Sequence, residues 1–215
     1  MDRRRVLKNM GMSLGYMVAT PTLLSIVQSC KSEPALTWTP EFLAQNEGAV
    51  LSKLVDIILP KTDTPSATEV QVDIFIDKFA KDVMEKEQQD FFKMSMTKFT
   101  NKALADSGKE KAEDLTAEDL EPVLATSLKY TKDQQAEMFK TINSYTKAIA
   151  DGGTAELDDE VSRFAFANNL RGMTIWGYKA SEYVGENVLA YLPVPGEYVP
   201  CGDLQELTEG KAWSL

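Results

Sequence analysis

Apolar residues recur at three- and four-residue spacing along most of the chain from Thr39 to Tyr191, and that period is helical. Leu43, Val50, Leu51, Leu54, Val55 and Ile58 form the first stripe. Thr39 is its predicted N-cap, Pro40 its first position and Glu41 its first-turn acid, and Pro60 ends it. Lys61–Ser66 (KTDTPS) is a loop of turn formers. A second stripe, Phe75, Ile76, Phe79 and Val83, begins near Val72. A third begins near Glu87, carries Phe92, Met96, Phe99 and Ala103, and stops at Ser107-Gly108.

Lys109 to Glu121 is charged and without period, so a mobile loop is expected there. Pro122 would break a helix begun at Thr116, which places a short helix start near Asp119. Thr131-x-x-Gln134 is a capping box. It opens a helix with Met138, Phe139, Ile142, Tyr145 and Ile149, closed by Gly152-Gly153. Leu157 to Tyr191 is the richest helical region, with Val161, Phe164, Leu170, Met173, Trp176 and Leu189. Gly172, Gly177 and Gly185 predict at least one interruption, and Pro193 the end. No alternating strand pattern or internal repeat is present. The fold class is all-α: a single irregular helical domain of about five to seven helices over residues 39–192, with an extended C-terminal tail at 193–215.

The first thirty residues follow a different rule. Arg3-Arg4-Arg5-Val6-Leu7-Lys8 is basic, and Asn9 to Cys30 carries no charge. A positive n-region before an apolar stretch describes a secretory signal peptide over residues 1–29. Arg3, Arg4, Val6, Leu7 and Lys8 fit a twin-arginine export signal, which carries folded cargo. Val27-Gln28-Ser29-Cys30 looks like a lipobox, with Cys30 the lipidated residue and 30–38 a tether. The alternatives are an uncleaved membrane anchor, against which Gly11, Gly15 and Pro21 argue, and an ordinary thiol at Cys30. These signals together predict an exported lipoprotein, membrane-anchored on the periplasmic side of the envelope.

Charge narrows the partners. The chain has 23 Lys and Arg against 33 Asp and Glu. Removing residues 1–29 takes away four bases and one acid and leaves a net charge of −13. An acidic domain is a poor ligand for phosphate backbones, so nucleic acid is set aside. There is no histidine, which removes the commonest general base, metal ligand and haem ligand. The only cysteines are Cys30 and Cys201, so lipid on Cys30 leaves Cys201 without a partner, as a packed, inert thiol. No glycine-rich nucleotide loop and no Cys-x-x-Cys occurs. Asp158-Asp159-Glu160 read as capping and dipole charges, and Asp63 as a turn acceptor rather than a catalytic acid. No catalytic residue, cofactor site or metal site is expected. Trp176, Tyr178, Tyr183, Tyr191, Tyr198 and Trp213 crowd the last forty positions, partly as core and partly as candidate partner-interface anchors.

The order of several segments resembles the gluconate 2-dehydrogenase subunit 3 family. They are the twin-arginine signal, Ile58-Leu-Pro-Lys-Thr-Asp-Thr-Pro65, Asn169-Leu-Arg-Gly172, Gly177-Tyr-Lys-Ala-Ser-Glu182, Leu192-Pro-Val-Pro-Gly-Glu-Tyr198 and Cys201. The Cys30 lipobox is similar to a lipoprotein branch of that family. The resemblance implies a non-catalytic small subunit that escorts and anchors a large FAD-dependent sugar or sugar-acid dehydrogenase of the glucose–methanol–choline type. It also implies a cytochrome c subunit, with haem c, as a further partner that often takes the electrons. The rival expectation is a free-standing helical envelope lipoprotein that binds a ligand or an envelope partner.

Overall fold

Among the described residues of the computed structural model six long helices follow one another, and they form where the apolar period is strongest. The structure describes residues 36–192, 194, 196 and 201–214, of which Trp38 onward belong to one compact unit. The export-signal residues Arg3, Arg4, Val6, Leu7 and Lys8, the lipidation candidate Cys30, Pro193 and Tyr198 lie outside the described residues.

Helix α1 (Gln45–Ile58) buries Val50, Leu51, Leu54 and Val55, as its stripe predicts, but starts five residues later than Thr39 suggests, with Ala44 as its N-cap. The cause is distant in sequence. Helix α2 (Val72–Asp82) carries a buried carboxylate, Asp77, that accepts the backbone N–H groups of Glu41 (2.6 Å), Phe42 (3.2 Å) and Leu43 (2.9 Å). One turn earlier, Asp73 accepts Trp38 Nε1–H at 3.0 Å and Ser52 Oγ–H at 2.5 Å. Residues 38–43 are thereby held as a strap, their donors satisfied by a charge rather than by helix carbonyls.

Helix α3 (Lys86–Ser107) places Phe92, Met96, Phe99 and Ala103 in the core and ends on Gly108, whose φ of 68° suits a residue without a Cβ. The charged stretch after it is partly ordered: Ala112–Asp114 form a 3₁₀ turn, and Leu115 is fully buried. Helix α4 (Ala117–Leu128) begins two residues before the predicted Asp119. Thr116 and Asp119 form its capping box, with the Thr116 N–H donating to Asp119 Oδ2 at 2.7 Å. Pro122 therefore sits in the second turn, on the exposed face, where water can reach the Glu118 carbonyl that loses its donor.

Helix α5 (Lys132–Ala150) opens on the predicted Thr131–Gln134 box. Its stripe is only half-covered: no residue of α5 is fully buried, and Phe139, 40% exposed, meets the Phe164 ring at 5.2 Å. Helix α6 (Asp159–Ala180) is the hub, packing against α1 to α5. It runs unbroken through Gly172 and Gly177, and the interruption falls at Ser181, before a π-helical turn at Val184–Val188 that contains Gly185. The buried hydroxyls of Ser162 and Thr174 donate to Asp158 O (2.8 Å) and Leu170 O (2.7 Å), and among the described residues no buried side-chain nitrogen or oxygen lacks a partner.

The tail is more structured than its lack of period suggests. Asp203 caps a short helix, α7 (Leu204–Thr208), and the chain returns to pair with Ala190: its N–H meets Ala212 O, and its O accepts Ser214 N–H, each at 2.8 Å. Among the described residues there is otherwise no β pairing, so all-α stands. No helix of the described residues is long and apolar enough to cross a membrane.

Candidate functional site

The loop after α1 and the C-terminal end of α6 meet, although they are more than one hundred positions apart. Tyr178 O–H donates to Pro65 O at 2.9 Å. One residue earlier, Gly177 is buried against α2 so closely that a Cβ on it would stand 2.7 Å from Phe75 Cδ1. Trp176 lies edge-on to Phe75 and Phe79, with ring centroids 5.1 and 5.2 Å away. Those edge-to-face contacts fix the indole while leaving it 44% exposed.

Beside this seam lies an open cleft of about 660 Å³, walled by Lys61–Pro65 and Glu69–Gln71 on one side and by Ser181–Tyr183 on the other. Lys61 Nζ pairs with Glu69 Oε1 at 2.5 Å. That contact holds the Lys61 ammonium above its ordinary pKa, and together with the Ser66 N–H it holds the Glu69 carboxyl below its own. Both groups are well exposed, so the pair shapes the loop more than it stabilises the fold. Gln71 closes the wall in a left-handed conformation (φ 61°), uncommon for a residue with a side chain. Its carbonyl accepts the Phe75 N–H, which makes it the N-cap of α2. Sequence reasoning missed Gln71, and a glutamine gives no local signal for such a backbone. Asp63 stands exposed on the same wall but is not the turn acceptor expected: the Thr64 N–H goes to Thr62 Oγ1 at 3.4 Å.

A second hollow, a groove of about 520 Å³, runs on the other side of Trp176 between α6 and the end of α2. Met173 and Phe92 line its inner side, and Trp176 and Val83, 62% exposed, border it.

The six aromatic candidates divide. Tyr178 is half-buried and its hydroxyl is committed to Pro65. Trp176, Tyr183, Tyr191 and Trp213 are between 44% and 54% exposed. The Ala190–Trp213 bridge sets Tyr191 and Trp213 at one edge of the chain, whereas Tyr183 faces the cleft. Tyr198 lies outside the described residues.

Asp158 Oδ1 accepts the Glu160 N–H at 2.7 Å and so caps α6, and Asp159 pairs with Lys98 at 2.7 Å. Cys201 is exposed, not packed, because the tail passes it over the surface before α7 begins. Among the described residues no group of three or more acidic or thiol side chains could hold a metal ion. The geometry sets half-exposed aromatic faces and a loop braced by the Lys61–Glu69 pair over a packed helical core.

A family model described as gluconate 2-dehydrogenase subunit 3 matches residues 45–196, which spans α1 to α6, the cleft, the groove and the start of the tail. No curated protein and no solved structure matches the chain.

Proposed function

This chain belongs to the gluconate 2-dehydrogenase subunit 3 family, and on that premise we propose that it escorts and anchors a large FAD-dependent dehydrogenase of the glucose–methanol–choline type, acting on a sugar or sugar acid at the bacterial envelope. The family match is the observation that carries the reading. Three features of the chain support it. Arg3-Arg4-Arg5-Val6-Leu7-Lys8 suits export of a folded complex, in which one signal serves both subunits. Cys30 suits lipid attachment. The strap at Trp38–Leu43 is fastened to α2 by Asp73 and Asp77, which suits a chain tethered from its N-terminal side. The small subunit supplies no catalytic group in this reading. The flavin resides in the large subunit, and a cytochrome c subunit receives the electrons.

The test is native purification of the tagged chain from its source membranes, with an absorption spectrum of what accompanies it. A co-purifying large chain with flavin bands is the expected result, and haem bands beside them would add the cytochrome. A colourless single chain would replace this reading with the free-standing lipoprotein. Deletion of the gene should strand the large subunit inside the cell; its normal export would remove the escort role.

A further inference from the structure

Two glycines of α6 look alike in sequence and differ completely in surroundings. Gly177 is required by its own chain, because a Cβ there would strike Phe75. Gly172 is not required by anything described: a Cβ built on it meets no atom within 4 Å, and its backbone is ordinary helix. A glycine in a helix interior is disfavoured relative to alanine. Nothing among the described residues of the chain calls for a glycine at 172, and the position is open to an approaching backbone.

The residues around it say what approaches. With about 3.6 residues per turn, Gly172 sits at the middle of the one exposed arc of α6, with Trp176 on one side, Ile175 on the other and Lys179 two turns along. Ile175 and Trp176 are each 44% exposed. Arg171 and Lys179 lie on the same stretch. Arg171 reaches only Asn168 Oδ1, at 2.9 Å, and neither cation has a carboxylate partner among the described residues. In an acidic chain where many lysines are paired, two cations without a carboxylate partner beside exposed apolar side chains form a seat for carboxylates. The groove between Trp176 and Val83 continues this surface.

We propose that the exposed face of α6 centred on Gly172 is the docking seat for an apolar, carboxylate-edged segment of the large subunit, whose backbone approaches where Gly172 has no side chain. This rests on the accessory-subunit reading above. A second copy of the chain is the poorer occupant. In an antiparallel self-pairing centred near Ile175, Arg171 of one copy would oppose Lys179 of the other, and like charges in contact destabilise an interface.

The experiment uses the full tagged chain purified natively from its own cells as wild type, Gly172→Ala, Gly172→Leu and Arg171→Glu/Lys179→Glu. The readouts are bound flavin per chain and the Tm of the isolated chain. Wild type and Gly172→Ala should carry flavoprotein. Gly172→Leu should lose about tenfold or more of it, the scale of a residue at the centre of an interface, with Tm no lower than wild type. The charge-reversed variant should lose capture as well. If Gly172→Leu keeps its flavin, the seat is wrong and the accessory reading survives. If capture survives charge reversal, the carboxylate-edged occupant is wrong. If wild type carries no flavin, the accessory reading fails and takes the named occupant with it. A wild-type dimer that Gly172→Leu splits into monomers would make a second copy the occupant and overturn the proposal.

Discussion

Tyr178 O–H donates to Pro65 O at 2.9 Å, a bond that spans 113 positions and pins the loop after α1 to the last turn of α6. The bond is half-buried, so its loss is a neutral hydrogen bond exchanged for partial hydration. Tyr178→Phe should cost about 1 kcal/mol in urea unfolding while leaving helical content unchanged. It should also loosen Lys61–Pro65, read as faster amide exchange there. Unchanged exchange would mean that the cleft wall is held by the Lys61–Glu69 pair instead.

Gly172 and Gly177 give opposite expectations for the same change. Gly177→Ala forces a methyl to within 2.7 Å of the Phe75 ring and should destabilise by about 1–3 kcal/mol. Gly172→Ala meets open space and should stabilise by up to about 1 kcal/mol. Denaturant midpoints of the two variants, measured side by side, check both signs at once.

Asp77 is the organiser of the strap, since three consecutive N–H groups end on one carboxylate that is 1% exposed. Asp77→Ala leaves those donors without an acceptor in a buried place and should cost roughly 3 kcal/mol or more. Asp77→Asn keeps one acceptor oxygen and should cost less. Amide exchange at residues 41–43 should rise ahead of global unfolding in both variants, and protection equal to wild type would show that the strap is held by apolar contacts of Leu43 instead.

Much of this architecture is legible from local pattern, and what is not legible has a common cause. Phe92, Met96, Phe99 and Ala103 declare α3 because a helical stripe on a long segment has no competing reading. Thr131 and Gln134 declare the start of α5 because the box is complete within four residues. Thr39-Pro40-Glu41 carries equally good start signals and yet forms no helix there, since the partner that overrides them, Asp77, is 36 positions away. Asp119 misleads in the opposite way. Avoiding Pro122 moves the helix start late, whereas the Thr116–Asp119 box fixes it early and an exposed proline is tolerated. The aromatic crowding after Trp176 is visible in sequence, but its division is not. Only the fold shows Tyr178 turned to Pro65, and Gly172 unlike Gly177.

Acid sensitivity should be traceable to Asp119. The ammonium of Lys109, 2.5 Å away, and the Thr116 N–H hold its carboxyl down at about 2, below its ordinary value of 3.8. A carboxyl depressed in the folded state adds stability that is complete above the unfolded value and is lost as pH falls through the folded one. This contribution should therefore fade between about pH 4 and pH 2. Lys109→Met leaves the capping box in place but removes the largest cause of the depression. Its stability deficit against wild type should be full at pH 5 and shrink as pH falls toward 2, to what the lost Lys109 bond to Asp114 O leaves, measured by urea midpoints across that range. A deficit independent of pH would assign the loss to the Lys109 Nζ–H bond to Asp114 O, at 2.6 Å, or to packing of the lysine stem.

The tail offers the sharpest separation between folding and partnership. Beyond Leu192 the described residues contribute one short helix and one side of a single bridge, and Thr208 alone among them is buried. The six long helices and the core from Leu43 to Met173 lie wholly upstream. Truncation before Pro193 should therefore leave the far-ultraviolet helical signal nearly intact and lower the thermal midpoint only slightly. It removes Trp213 and Tyr198 and frees Ala190 from its two backbone bonds, which unfastens the edge that carries Tyr191. If that edge joins the α6 face in holding the large subunit, the truncated chain should recover markedly less flavoprotein than the full chain at equal expression. Equal recovery would confine the contact to α6, and loss of the helical signal would make the tail part of the core after all.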